Sequence, residues 1–179
     1  MKQVQTAIAT KADPSSLLRS PTNIGDLLPC ALNALPKKVR RSAVLAKQIQ
    51  LSDLPQIKSW PQDGGPFITL PQVLTLNPSQ PKILKSNLGM YRVQLAGNDY
   101  EPQKQVGMHF QIHRGIATHY QQAMDAGVDL PVSIFVGGPP AHTFSAVMPL
   151  PDGLSELSFA GMLGGRRFRY QLQGSNYIS

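Results

Sequence analysis

The sequence predicts an α+β domain made of short strands and a few helices. The 179 residues are 41% hydrophobic and 15% charged, a balance typical of a globular chain with one sizeable core. Sixteen prolines and 15 glycines indicate many turns and disfavour a helical bundle. The strand-like and helix-like runs do not alternate strictly along the chain, which favours α+β over a parallel α/β arrangement.

The first part of the chain is predicted to be irregular. Residues 1–42 are polar or interrupted by prolines, and the apolar stretch 26–35 allows one or two helical turns. The domain itself is expected at residues 43–172. Residues 173–179 are then a short tail.

Six apolar or alternating runs are predicted as strands. In the run 88–95, Arg92 and Gln94 alternate with Tyr91 and Val93, so one strand face is polar and the other apolar. Pro71 is expected at a strand edge or a bulge. The six strands are 43–51, 67–76, 88–95, 105–112, 130–136 and 164–172.

Three helices are predicted in the second half of the chain. Residues 115–126 carry apolar side chains at helical spacing, and Gly127 is a typical stop signal. The helix at 141–148 follows Pro140, which suits a first helical turn, and a third helix is expected at 154–163.

Charge and composition exclude several classes of function. The net charge of +7 raises the question of nucleic acid, but the basic groups at 37–41 and 166–169 lack interleaved aromatic residues and any recognised nucleic-acid motif. We therefore expect no nucleic-acid partner, although a basic chain suits a phosphate-bearing ligand. No apolar run is long enough to span a membrane. The single Cys30 favours a reducing compartment, so the cytoplasm is expected, with peripheral membrane association left open.

Single features leave the chemistry ambiguous. Arg92 on a strand is by itself more often a solvated edge residue, and His109 with His113 is more often polar packing than a metal site. Arg114 and Gly115 lie where a strand ends and a helix begins, a plausible seat for a phosphate. The glycine pairs at 137–138 and 164–165 lack the lysine and hydroxyl residue of a P-loop and are interpreted as turns.

Five ordered motifs together are much more specific than any one of them. They are WPQDGGPFITLP at 60–71, NLGMYR at 87–92, MHFQIHRG at 108–115, PVSIFVGG at 131–138 and LSELSFAG at 154–161. In this order along residues 45–168 they resemble the UbiD-like decarboxylases, which remove CO₂ from aromatic or α,β-unsaturated acids with prenylated FMN. The resemblance implies part of a split β-barrel flavin-binding domain with flanking helices.

The resemblance also implies a metal and a cofactor site. It assigns Asn87, His109 and Glu156 as ligands of manganese or magnesium, and this mixed oxygen and nitrogen set suits such a cation. Potassium sites are also known in the family, but no residue is assigned to them here. The implied cofactor-contacting residues are Met90, Tyr91, Arg92, His109, Phe110, Gln111, Arg114 and Gly115.

Arg92 has a further implied role as a catalytic residue. In the related enzymes this arginine lies near the substrate carboxylate, and a guanidinium group suits that task because it forms two parallel hydrogen bonds. The cofactor accepts the electrons released as CO₂ leaves.

The chain also departs from the family pattern. Full-length members are more than twice as long, and their catalytic acid lies downstream of Glu156. The amino-acid sequence after Tyr170 no longer resembles the family. We therefore expect a fragment, a truncated open reading frame or one part of a split enzyme. Such a chain is expected to be weak or inactive alone. Its expected partner is a second copy in a homo-oligomer or a complementing C-terminal half. The alternative is a non-catalytic flavin-phosphate-binding or interaction module.

Overall fold

The computed structural model describes residues 23–151, 153–174 and 176–178, together with Gln5. Residues 23–151, 153–174 and 176–178 form four helices and nine strands in a mixed order along the chain, which confirms the α+β class. In chain order they are α1 (Asn23–Asn33), β1 (Lys37–Lys38), β2 (Phe67–Ile68), β3 (Gln72–Thr75), β4 (Asn87–Met90), β5 (Arg92–Gln94), β6 (Gly107–His109), α2 (Gly115–Ala126), β7 (Val132–Phe135), α3 (Pro140–Val147), α4 (Glu156–Gly164), β8 (Arg169–Gln173) and β9 (Asn176–Ile178).

A central antiparallel sheet has the strand order β4-β3-β7 and packs helices on both faces. On one face, Val73 lies in a buried cluster with Ile116 of α2. On the other, Leu74 and Leu88 pack against Leu157 of α4. Successive side chains of a strand point to opposite faces, so this alternation places α2 on one side and α3 with α4 on the other.

A bent ribbon joins the central sheet to a second sheet of order β2-β5-β6. Ile68 pairs with Val93 in the second sheet, and Gln72 pairs with Met90 in the central one. Three residues, 69–71, therefore oppose only two residues on the partner strand. Such an extra residue is a bulge, which bends the ribbon and increases its twist.

The bend corrects two sequence predictions. The runs 67–76 and 88–95 were each expected to form one strand, but each divides into two strands that belong to different sheets. Leu70 has a positive φ of 50°, and Pro71 has no N–H to donate to a ladder. The prediction that Pro71 marks a bulge is confirmed.

The third sheet brings the two ends of the described chain together. Its strand order is β1-β8-β9, with β1 parallel to β8. Helix α1 packs against α4 through Cys30, Phe159 and Met162, so it is longer and better anchored than the one or two turns expected at 26–35. The proposed division of the chain at residues 42 and 172 stays a prediction.

The strand predicted at 43–51 is wrong. Two short 3₁₀ turns stand there, at Ala43–Leu45 and Leu51–Asp53, and the Ser42 side chain accepts a hydrogen bond from the Val44 amide. The helix predicted at 115–126 is confirmed, with Gly127 in the left-handed conformation as its C-cap. No described helix is long and apolar enough to cross a bilayer.

Candidate cofactor and metal site

The bend of the ribbon carries the residues predicted to contact the cofactor. Met90 ends β4, Arg92 begins β5, and Tyr91 lies between them. Tyr91 is buried in the cluster around Val73 and Ile116, whereas the Arg92 side chain is 57% exposed. The predicted separation of an apolar face from a polar one therefore holds at these two positions. It fails at Gln94, which is buried and donates to the Ala96 carbonyl at 2.9 Å.

Asn87 lies at the start of β4 against the beginning of α2. Its Nδ2 donates to the Tyr91 hydroxyl at 3.2 Å, which fixes the orientation of the amide. A Cβ placed on Gly115 would lie 2.2 Å from Asn87 Oδ1, so only a glycine lets this carbonyl oxygen stay where it is. Gly115 therefore leaves space for the Asn87 side chain.

Tyr91 joins several parts of the site through its hydroxyl. Burial chiefly raises the pKa of Tyr91, while the hydrogen bonds from Asn87 and from the Ile116 amide lower it. The charge of Glu156 raises this pKa and the charge of Arg114 lowers it. The Tyr91 phenol therefore stays protonated at neutral pH and can both accept and donate a hydrogen bond.

Glu156 reaches the edge of the central sheet from the first turn of α4. Ser155 caps this helix by accepting from the Leu157 amide at 3.3 Å. The Leu88 amide, on edge strand β4, points away from β3. Glu156 Oε2 accepts a hydrogen bond from this amide at 3.4 Å. Burial raises the pKa of Glu156, against the smaller opposing effect of hydrogen bonds from its own amide and that of Leu88. A desolvated carboxylate of this kind would be stabilised by a bound cation.

We name Asn87, Tyr91 and Glu156 the buried end of the site. Asn87 and Tyr91 belong to β4 and the residue after it, whereas Glu156 comes from the first turn of α4. The three lie close together at β4 and the N-termini of α2 and α4. Their amide, hydroxyl and carboxylate oxygens form a donor set that fits a hard divalent cation. Among the described residues, no cluster of three or more His, Cys, Asp or Glu could hold a metal. The buried end is not such a cluster, because Glu156 is its one residue of these four types.

The exposed end consists of Asp63, Phe67, Arg92 and His109. Arg92 Nη2 donates to Asp63 Oδ1 at 2.8 Å, and its guanidinium carbon lies 4.0 Å from the centre of the Phe67 ring. The Arg92 hydrogen bond is the main cause that lowers the pKa of Asp63. Sequence reasoning missed Asp63 as a partner, although it lies in the first of the five motifs.

His109 lies at the exposed end. It pairs with Arg92 across the β5–β6 ladder, and its ring meets Phe67 edge to face at 5.9 Å. Within the described residues it makes no hydrogen bond to Asn87 or Glu156. The structure therefore groups two of the three predicted metal ligands at the buried end and the third beside Arg92.

The remaining predicted cofactor residues line the path from β6 to α2. The Phe110 ring packs edge to face on Tyr91 at 6.5 Å and on Tyr120 at 5.7 Å. The Gln111 carbonyl accepts from the Arg114 amide at 3.1 Å, and Arg114 is the N-cap residue of α2. The predicted helix start at Gly115 is confirmed, and its first amides lie beside Asn87 and Tyr91.

Sequence reasoning also missed His119. This buried histidine lies one helical turn after Gly115, and its Nδ1 is 2.9 Å from Thr75 Oγ1 on β3. The contact fixes α2 against β3, next to Asn87 on β4, with which Thr75 pairs. Burial lowers the pKa of His119, so it is neutral at physiological pH. The sequence signal that could have identified His119 is its place on the apolar face of the predicted helix α2.

Comparison with protein families identifies the same group as the motifs. The UbiD family model, described as a 3-octaprenyl-4-hydroxybenzoate carboxy-lyase Rift-related domain, matches residues 34–177. A protein from Chlamydia pneumoniae, named as one of the subunits of a 4-hydroxybenzoate decarboxylase, is 43% identical over 128 residues, 72% of this chain and 20% of that protein. The chain thus spans about a fifth of the length of this relative.

Solved structures share the fold at low sequence identity. The closed form of the Sedimentibacter hydroxybenzoicus vanillic acid decarboxylase matches with a TM-score of 0.61 and 22% identity, over 84% of this chain and 34% of that one. The UbiD-class enzyme HmfF from Pelotomaculum thermopropionicum, in complex with FMN, matches with a TM-score of 0.64 and 17% identity, over 84% and 35%. An evolved dimeric form of HmfF in complex with prenylated FMN matches with a TM-score of 0.64 and 20% identity, over 84% of this chain and 36% of that one. The family match over most of the chain, the fold and the ordered motifs lead to one conclusion: this chain belongs to the UbiD family of carboxy-lyases.

Proposed function

We propose that this chain is the prenylated-FMN- and metal-binding part of a carboxy-lyase that removes CO₂ from an aromatic or α,β-unsaturated acid. The observation that carries the proposal is the convergence of Asn87, Gly115 and Glu156 at the start of β4. Relatives that bind FMN or prenylated FMN, or are named for decarboxylation of aromatic acids, support it.

The buried end would hold the divalent metal. Asn87 offers its Oδ1 because Nδ2 is occupied by the Tyr91 hydroxyl, and Glu156 offers a carboxylate beside it. Manganese or magnesium prefers such oxygen ligands and keeps open positions for phosphate oxygens. His109 would have to approach from the exposed end to complete the set of three. Potassium stays an expectation without assigned residues.

The N-terminus of α2 would receive the cofactor phosphate. Its first amides carry partial positive charge, and Arg114 adds a full charge at the N-cap position. Asn87 lies beside this helix start, so the residues that would hold the metal are next to those that would hold the phosphate. Met90, Tyr91, Phe110 and Gln111 line the neighbouring surface for the rest of the cofactor.

Prenylated FMN, when bound, supplies the electron-accepting ring for decarboxylation. Arg92 would orient the substrate carboxylate with its guanidinium group, whose position is set by Asp63 and by the Phe67 ring. The pair with Asp63 leaves further guanidinium N–H groups to donate to a carboxylate. Asp63 is thus a positioning residue in this proposal.

Reconstitution with prenylated FMN and manganese tests the proposal. We expect the chain to retain the flavin, seen in its absorption spectrum, and to bind manganese with a stoichiometry of about one. The substrate arm uses a hydroxybenzoate and a cinnamate, with CO₂ release as the readout. A folded chain that binds neither flavin nor manganese would contradict the proposed site.

The same experiment separates the two candidate functions. Cofactor retention with CO₂ release identifies a decarboxylase in its own right. Retention without turnover favours the flavin-phosphate-binding module, or an enzyme that needs a complementing C-terminal half or a homo-oligomer. A polyprenyl hydroxybenzoate is the proposed substrate if the enzyme acts in quinone biosynthesis. Mixing this chain with a separately produced C-terminal half would test whether decarboxylation needs a second polypeptide.

A further inference from the structure

A second cleft lies on the opposite side of the central sheet from α2. It has a volume of about 710 Å³, and none of the proposed cofactor or metal residues lines it. Most of its lining comes from three segments, to which Gln72 of β3 and His142 of α3 are added. The three segments are Val39 with 41–44 after β1, 134–139 at the end of β7, and 166–167 with Arg169 at the start of β8. A volume of this size is typical of sites for small organic ligands.

The cleft is strongly basic. Four arginines line it, whereas none of its lining residues within the described chain is acidic. Neither Arg41 nor Arg166 forms an ion pair with a described residue. Arg167 donates from Nε and Nη2 to the Leu35 and Pro36 carbonyls at 2.6 and 3.1 Å. It forms no ion pair with a carboxylate of the described residues.

One wall of the cleft is apolar and its mouth is open. Val44 and Val136, which line it, are each 55% exposed. Gly137 and Gly138 have φ values of 81° and 96° and present no side chain there. Gln72 Nε2 donates to the Gly137 carbonyl and to Thr143 Oγ1, both at 3.0 Å, which fixes this loop against the sheet.

We propose that this cleft binds a small organic phosphate, with the phosphate oxygens on Arg41 and Arg166 and the apolar part of the ligand against Val44 and Val136. Guanidinium groups bind phosphate through parallel charged hydrogen bonds. The two arginines come from segments far apart in sequence, so the fold brings them to one cleft. The site shares no residue with the proposed flavin and metal site.

Binding of ADP, followed by calorimetry at low ionic strength with the full 179-residue chain, tests the inference. We expect the variants Arg41→Gln and Arg166→Gln each to weaken ADP binding about tenfold, the usual effect of losing a charged hydrogen-bond partner. Arg40→Gln is the matched control, because it removes the same charge from the neighbouring exposed residue, which does not line the cleft. Far-ultraviolet circular dichroism verifies that each variant is folded.

Three results would overturn the inference. Wild-type protein that does not bind ADP is one. Equal weakening by Arg40→Gln and Arg41→Gln is another, because it indicates attraction by net charge alone. Adenosine bound as tightly as ADP is the third. A Glu156→Gln variant separates the two sites: it should leave ADP binding unchanged, and loss of ADP binding there would mean that the nucleotide occupies the flavin phosphate position.

Discussion

The buried and exposed ends of the candidate site differ in what fixes their side chains. Tyr91 is buried, and Asn87 and Glu156 are half-buried; the three are held by the start of α2 and by the edge of β4. Arg92 is held by one ion pair and one ring, and its side chain is mostly open to solvent. A site with one preformed end and one accessible end suits a cofactor bound by its phosphate, with its reactive part facing an incoming acid.

The largest expected effect comes from removing the charge at the buried end. We expect Glu156→Gln to weaken manganese binding by about 100-fold, because the carboxylate is a charged ligand in a desolvated position. Manganese titration followed by electron paramagnetic resonance measures this. Glu101→Gln is the control, since Glu101 is the other glutamate of the chain and lies exposed beside Lys104.

The same variant should stabilise the metal-free protein at neutral pH. The folded pKa of Glu156 is raised, so the folded state binds more protons and the free energy of unfolding falls as pH rises from about 4.5 through the raised pKa. Glutamine has no charge to desolvate, so we expect the free energy of unfolding of the variant to be higher by about 1 kcal/mol at neutral pH. Urea denaturation at acidic and neutral pH measures it, and identical pH profiles for both glutamine variants would contradict the burial of Glu156.

A smaller effect is expected from crowding the buried end. In Gly115→Ala the new Cβ would displace Asn87 Oδ1, and we expect manganese affinity to fall about 10- to 100-fold, as for changes that reorient a metal ligand. Thr118→Ala, on the exposed side of the same helix, should bind normally. If Gly115→Ala kept full affinity, Asn87 would not be a ligand.

The pH dependence of stability should reveal the anchoring of α2. The folded pKa of His119 is lowered, so the unfolded chain takes up the proton first, and the free energy of unfolding falls as pH drops below about 6.5. We expect His119→Gln to reduce this slope, with a difference of about 1 kcal/mol across the range. A slope that His119→Gln leaves unchanged would show that His119 is not buried.

The smallest effect is expected at the exposed end. Exposed ion pairs contribute little to stability, so Asp63→Asn should leave the melting temperature within about 2 °C of the wild-type value. Flavin and manganese binding should also persist in this variant. A large loss of stability would mean that Asp63 and Arg92 belong to the rigid part of the molecule, and the distinction between the two ends would fail.

The sequence predicted helices better than strands, for a physical reason. The helix at 115–126 carries its own start, spacing and stop, so local rules suffice. The strands at 67–76 and 88–95 were predicted as continuous because apolar runs do not reveal that a partner strand has one residue fewer. The run 43–51 looks like a strand, but Ser42 and Asp53 form local caps that favour 3₁₀ turns.

The candidate site could be foreseen only in part. Ordered motifs identified Asn87 and Glu156, and the fold brings both to β4. Asp63 and His119 were missed because their roles depend on contacts over distances of 29 and 44 residues, which no local pattern encodes. The proposed place of His109 as a ligand stays a prediction.

The extra residue in the bent ribbon makes the length of this segment a determinant of chemistry. Deleting Thr69 would leave two residues opposite Tyr91 and Arg92, and the pairing could continue unbroken from Phe67 to Thr75. The two sheets would then merge into one ribbon, on which Met90 and Arg92 project from the same face. One inserted amino acid thus sets the angle between the strand that carries Asn87 and the strand that carries Arg92.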